Sequence, residues 1–222
     1  MKLTDDILKE LEKYKKYWWK DDINYEEIKR DAFKLLIFTI LSQNTSSENT
    51  RRAFISLSKK FDITPFTLAN AGKDEIAVAI KCGGLHKVKA GRIREAASYI
   101  CREWNGNMGW VYNLMKEKLR EELLKIPGVG EKTTDVVVSS IHGYENAFVI
   151  DTHMRRIATR LKLVDEKAGY KEIQERLSSI FPWEKIENKE EVVALFWLMA
   201  KYTCSSRKPK CNECPLKSIC KR

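Results

Sequence analysis

The chain has 222 residues, 43% of them apolar, which is enough for one large domain or two small ones with a real core. Its 41 Lys and Arg outnumber 31 Asp and Glu, leaving a formal charge of +10. Such an excess favours a polyanionic partner, because each phosphate neutralised releases a counterion; a basic surface that binds nothing is the alternative. No apolar run approaches the roughly 18–20 residues of a membrane span, and Asp5 and Asp6 stand where a signal peptide is apolar. The sequence therefore predicts an intracellular protein with no membrane partner, whose six cysteines form no disulfide framework.

Helical periodicity runs through most of the chain and strand alternation is nearly missing, so the predicted class is all-α, with about ten short helices. Thr4 caps a helix that turns Ile7, Leu8, Leu11 and Tyr14 to one side. Asp31 to Ser42 is apolar on most faces, as a central buried helix is. Thr45-Ser46-Ser47-Glu48 has the form of a capping box, and Thr64-Pro65 combines a cap with a first-turn proline. A helix from Lys73 to Cys82 stops at Gly83-Gly84. Another, Lys89 to Trp104, stops at Asn105-Gly106. Further helices are predicted over Glu117–Lys125, Glu131–Ile141, Thr152–Leu163, Tyr170–Ile180 and Glu190–Tyr202. Asn146–Ile150 is the one extended candidate, a connector.

Cys204, Cys211, Cys214 and Cys220 crowd into the last 19 residues with the spacing C-x6-C-x2-C-x5-C. Four soft thiolates suit either Zn²⁺ or an iron–sulfur cluster. Structural zinc sites usually pair two C-x2-C knuckles, and here only Cys211 and Cys214 make one. Cys82 and Cys101 sit on apolar helix faces as core thiols. Between the first two clustered cysteines, Arg207, Lys208 and Lys210 stand on a short pinned loop, suited to phosphate contact at low ordering entropy. A solvated charged loop is the alternative.

Leu123 to Lys132 reads as two helices joined by Ile126-Pro127-Gly128-Val129-Gly130. Pro127 ends the first helix, and the glycines permit unusual backbone angles and close approach. Amides of Gly128, Val129, Gly130 and the next helix's first turn can then hold one phosphate without reading bases. Lys132 falls in that first turn, where the helix dipole disfavours a cation, and partial burial would favour the neutral amine further. A neutral amine that attacks a sugar C1′ yields a Schiff base; a surface lysine on phosphate is the plainer reading. Asp151 follows the apolar run Phe148-Val149-Ile150 and precedes a helix. It is a natural N-cap, and a carboxylate that can assist Lys132 or stabilise positive charge on the sugar.

Together these motifs resemble the endonuclease III family of helix-hairpin-helix DNA glycosylases, over roughly residues 25 to 222. The resemblance rests on Leu124 to Thr133, Ile150-Asp151-Thr152-His153, the cysteine spacing, Leu41-Ser42-Gln43-Asn44-Thr45 and Gly84-Leu85-His86. It implies a six-helix domain over residues 25–144 that holds the hairpin, and a cluster domain from residues 1–24 and 145–222, with DNA in a cleft between them. It implies that Lys132 is the Schiff-base lysine and Asp151 the essential aspartate. The four cysteines would ligate a [4Fe–4S] cluster. Gln43 would fill the gap left by a flipped nucleotide, with Leu85 inserted beside it.

The implied protein is a monomer in the nucleoid of a prokaryotic cytoplasm, acting on double-stranded DNA with a damaged base or an abasic site. Its reaction is base excision, with oxidised pyrimidines as the leading substrates, followed by β-elimination 3′ to the lesion. Extruding the nucleotide costs a few kcal/mol. Glu131, Asp135, Asn44 and Ser46 depart from the family pattern and leave the preferred base open. Two other readings stand beside this one: the same fold acting on alkylated or mismatched bases, and a non-catalytic DNA-binding module with a zinc site.

Overall fold

The computed structural model describes residues 2–17, 25–144 and 148–221, and these are helical with no strand among them. The α-helices are, in chain order, α1 (Asp5–Leu11), α2 (Tyr25–Lys29), α3 (Ala32–Ser42), α4 (Ser47–Lys60), α5 (Pro65–Asn70), α6 (Lys73–Ala79), α7 (His86–Trp104), α8 (Lys116–Leu124), α9 (Glu131–His142), α10 (Thr152–Arg160), α11 (Tyr170–Ser178) and α12 (Lys189–Tyr202). Short 3₁₀ turns punctuate them, including Lys81–Gly83 after α6. No helix is long and apolar enough to cross a membrane. The chain divides into two compact units, one made of Met1–Lys20 and His142–Arg222, the other of Asp21–Ile141.

In the Asp21–Ile141 unit, α3 is the central element. Its Phe33, Leu35, Leu36, Ile37, Ile40 and Leu41 are all buried, as its apolar faces predict. Asp31 caps it by accepting from the backbone N–H groups of Phe33 and Lys34. The predicted box at Thr45 is displaced by one residue: Ser46 is the cap of α4 and accepts from Asn49 N–H. Helix α7 begins at His86, three residues before the expected start, because Leu85 adopts a left-handed conformation (φ 48°) and turns the chain into the helix. Helix α2 and the 3₁₀ turn Gly109–Tyr112 have no counterpart among the predicted elements. Cys82 and Cys101 are only partly buried, short of the core positions expected of them.

In the other unit, Leu3, Ile7, Leu11 and Tyr14 pack with Ile157, Ala158, Phe196, Met199 and Leu216 in one core. Tyr14 also bonds the Thr203 hydroxyl at 2.7 Å, and burial pushes its phenol up to about 12. Of the predicted extended segment, residues 146 and 147 lie outside the described ones. Phe148 to Ile150 have no regular structure and are pinned instead: Gln174 donates to the Phe148 carbonyl, and the Ile150 N–H donates to the Tyr170 hydroxyl.

The two helices of the hairpin are joined electrostatically as well as by the turn. Asp135 on α9 is wholly buried and pairs with Arg120 Nε on α8 at 2.9 Å, while Glu131 lies 3.6 Å from the same guanidinium. The two acids that depart from the family pattern are thus partners of one arginine. Removing one member of a buried pair strands the other charge, typically at about 3–5 kcal/mol. Asp135→Ala is expected to lower the unfolding free energy by the lower end of that range, read as a lower denaturant midpoint at unchanged slope, since Arg120 keeps some exposure. Asp135→Asn, which retains an acceptor, is expected to lose less; equal midpoints for all three proteins would refute the pairing.

Candidate functional site

The hairpin turn is built by the end of α8 and one left-handed glycine. Gly128 has φ +77°, and a Cβ there would stand 2.9 Å from Cγ of Arg92. Only glycine satisfies both the angle and the close approach. Val129 is buried and anchors the turn, and its N–H donates to the Ile126 carbonyl. Gly130 needs no special angle. A Cβ on it would meet nothing within 4 Å, so its face is open. Helix α9 starts at the next residue, and the amides of a first turn have no intrahelical acceptor. Lys132 stands in that turn and is exposed.

Gln43 and Leu85 belong to the same unit. Gln43 ends α3, and its side chain is held from three sides. Its amide donates to the Thr133 hydroxyl at 3.1 Å and to the Gly128 carbonyl at 3.4 Å, and its oxygen accepts from Arg92. Gln43 is therefore tied to the hairpin. Leu85 is 53% exposed although apolar, and it follows Gly84, itself at φ +69°. An exposed leucine in a left-handed conformation is a costly arrangement of the kind that collects at functional sites. Lys89 and Arg92, which hold these loops, carried no signal in the sequence.

In the other unit, Asp151 is the N-cap of α10. Its Oδ1 accepts from the N–H groups of His153 and Met154, both at 2.8 Å. Its Oδ2 accepts from the indole N–H of Trp197 at 2.7 Å. Cap and indole together fix the carboxylate plane. Trp197 was not singled out by the sequence, where it reads as one more apolar residue on α12.

The four cysteines lie in the same unit as Asp151. Cys204 follows α12, Cys211 opens a 3₁₀ turn, Cys214 closes it, and Cys220 lies beyond Leu216. Burial pushes the Cys214 thiol up, and the neighbouring thiols of Cys204, Cys220 and Cys211 add to the shift. Arg160 donates to the Cys204 sulfur at 3.1 Å and to the carbonyls of Cys204, Ser205 and Ser206; Arg156 donates to the carbonyls of Cys204 and Ala200. Among the described residues, no three His, Cys, Asp or Glu side chains close on a single metal ion. Four soft thiols from successive turns, with a cation beside one sulfur, still form a donor set that suits a cluster in which each thiolate has its own iron. The loop between Cys204 and Cys211 is closed by Lys210 N–H donating to the Thr203 carbonyl, and it leaves Arg207, Lys208 and Lys210 exposed.

Lys132, Gln43, Leu85 and the glycines thus fall in one unit, and Asp151, the cysteines and the basic loop in the other. A family model for HhH-GPD superfamily base excision DNA repair proteins matches residues 37–183. Endonuclease III of Sulfolobus acidocaldarius is 33% identical over 193 residues, covering 86% of this chain and 82% of that protein. Endonuclease III of Thermotoga maritima is 34% identical over 194 residues, covering 86% and 83%. A solved trapped endonuclease III–DNA covalent intermediate, in an estranged-adenine complex, superposes with a TM-score of 0.71 at 28% identity, over 95% of this chain and 92% of that one. The hairpin, its lysine and these likenesses have one explanation: the chain belongs to the HhH-GPD superfamily of base excision DNA repair proteins, among the endonuclease III enzymes.

Proposed function

We propose that this chain removes oxidised pyrimidines from double-stranded DNA and then cleaves the strand, with Lys132 as nucleophile and Asp151 as the assisting carboxylate. Its reaction class, DNA glycosylase and abasic-site lyase in base excision repair, follows from the family. The observation that carries the assignment to residues is the exposed amine of Lys132, in the first turn after an open glycine. Amides at that turn suit a phosphate, which would hold the DNA backbone close to the lysine. Its site of action would be the nucleoid of a prokaryotic cell.

The chemistry needs few groups. The Lys132 amine attacks C1′ of the extruded nucleotide, and the base departs with the electron pair of the glycosidic bond and takes up the proton that the amine gives up. Opening of the sugar ring leaves an imine between Lys132 and C1′. Loss of a proton from C2′ expels the 3′ phosphate, and water then releases the lysine. Asp151, fixed by the cap and by Trp197, supplies negative charge against the positive charge that grows on the sugar. Neither step needs a redox group. A [4Fe–4S] cluster on Cys204, Cys211, Cys214 and Cys220 would supply a structural staple for the loop carrying Arg207, Lys208 and Lys210, which we assign to phosphate contact.

Three measurements test these assignments. Borohydride added to the protein with abasic-site DNA is expected to trap a covalent adduct that disappears in Lys132→Ala; an undiminished adduct rules out Lys132 as the sole nucleophile. Trp197→Phe removes the donor to Asp151 Oδ2 and leaves the cap intact. It should slow single-turnover excision about tenfold, the equivalent of 1.36 kcal/mol, with little change in melting temperature. An unchanged rate means that the indole does nothing for the carboxylate. Protein purified without air should be brown and absorb at about 400 nm, whereas a colourless protein with one bound zinc per chain contradicts the cluster.

A further inference from the structure

Lys89 is 1% exposed, and no step above uses it. Its ammonium donates to the Leu41 carbonyl at 2.7 Å and to the Gly83 carbonyl at 2.9 Å. Both acceptors lie where a helical segment ends: Leu41 in the last turn of α3, Gly83 at the close of the 3₁₀ turn after α6. Carbonyls at such ends lack intrahelical donors and attract a cation. Just beyond each acceptor the chain turns left-handed at a residue with a side chain, Asn44 (φ 51°) in one case and Leu85 (φ 48°) in the other. These angles are unfavourable for L-residues and persist only where the surroundings over-determine them. One buried cation thus ties together two strained loops, which carry Gln43 and Leu85. One turn along α7, Arg92 secures the same assembly by donating to the Gln43 side chain.

We infer that Lys89 is a positioning residue that locks the Gln43–Thr45 and Gly84–Leu85 loops into one rigid wedge for opening the DNA stack. It would touch no DNA itself. Burial, and secondarily Arg92, push its ammonium below the ordinary lysine range, so the cation is held there at a cost that two carbonyl bonds must offset. A lysine needed only to fill the core would be replaceable by methionine, which has a similar stem and no charge. A lysine that fixes two loop conformations through its donors would not.

The inference rests on the proposed function, and the test separates the two. Wild type, Lys89→Met and Lys89→Gln are compared, each well below its melting temperature. One assay titrates a duplex with a tetrahydrofuran abasic analogue and 2-aminopurine opposite it, whose fluorescence rises on unstacking. The other traps the borohydride adduct on abasic-site DNA, duplex and single-stranded, the latter having no stack to open. Lys89→Met is expected to need about tenfold more protein for half of the fluorescence change (1.4 kcal/mol). Its trapping should slow on duplex and match wild type on single strands. Lys89→Gln, which keeps donors, should fall between, and it decides the matter if the methionine variant does not fold. Wild-type behaviour of the variants on duplex overturns the inference, and so does an equal loss on both substrates. A wild type that traps no adduct refutes the proposed function instead, and the fluorescence titration still judges Lys89; a wild type with no fluorescence response overturns the wedge as well.

Discussion

A fold made of many short helices has to satisfy the backbone groups at its helix ends. Each helix leaves four N–H groups and four carbonyls without intrahelical partners, and the functional candidates of this chain stand at such places. Asp151 caps α10, Lys132 lies in the first turn of α9, Gln43 ends α3, Leu85 precedes α7 and Cys204 follows α12. A cap already fixes the side chain or backbone that makes it. Placing chemistry there uses an order that the fold must supply in any case. Asp151 shows this directly: one oxygen holds the helix, and the other, turned to Trp197, takes its orientation from the first.

The positive charge of the chain is divided between scaffold and surface. Lys89 and Arg92 hold the loops around α7, Arg120 joins α8 to α9, and Arg156 and Arg160 grip the chain around Cys204. Most of these cations donate to carbonyls, so they act as multiple hydrogen-bond donors as much as charges; the forked guanidinium of Arg160 reaches three successive carbonyls. A net charge of +10 therefore overstates what is free to meet DNA. The exposed cations of the Arg207–Lys210 loop are of the other kind, and they depend on the internal arginines for their position.

Legibility in the sequence follows the range of the interaction. Thr4, Thr64-Pro65 and Asp151 are readable as caps because a cap and the N–H groups that donate to it lie within three residues. The capping box failed by one residue because Thr45 and Ser46 offer equivalent hydroxyls and only the turn after α3 selects between them. The start of α7 was misplaced because nothing in Leu85 announces a left-handed angle. Trp197 with Asp151, Lys89 with Leu41, and Arg92 with Gln43 are pairs 46, 48 and 49 residues apart, and no local pattern links them. The chemical groups were thus visible as types, while the residues that aim them were not.

The same distinction bears on the cysteine segment. From Ser205 to Lys221 the chain has one 3₁₀ turn, and Pro215 and Leu216 are its buried residues. Apolar burial on that scale falls short of the backbone entropy lost on ordering, about 1–2 kcal/mol per residue. Backbone bonds from Arg160 and to Thr203 hold the first part of the segment, up to Lys210. Beyond it, Lys13 bonds the Glu213 carbonyl and Leu216 enters the core. A staple through four thiolates would supply what this arrangement lacks, since metal binding free energy becomes folding free energy. The proposed cluster is in that sense the counterpart of Lys89 in the other unit: each fixes a loop that short-range helical order cannot fix, and each leaves the bond-breaking to residues elsewhere.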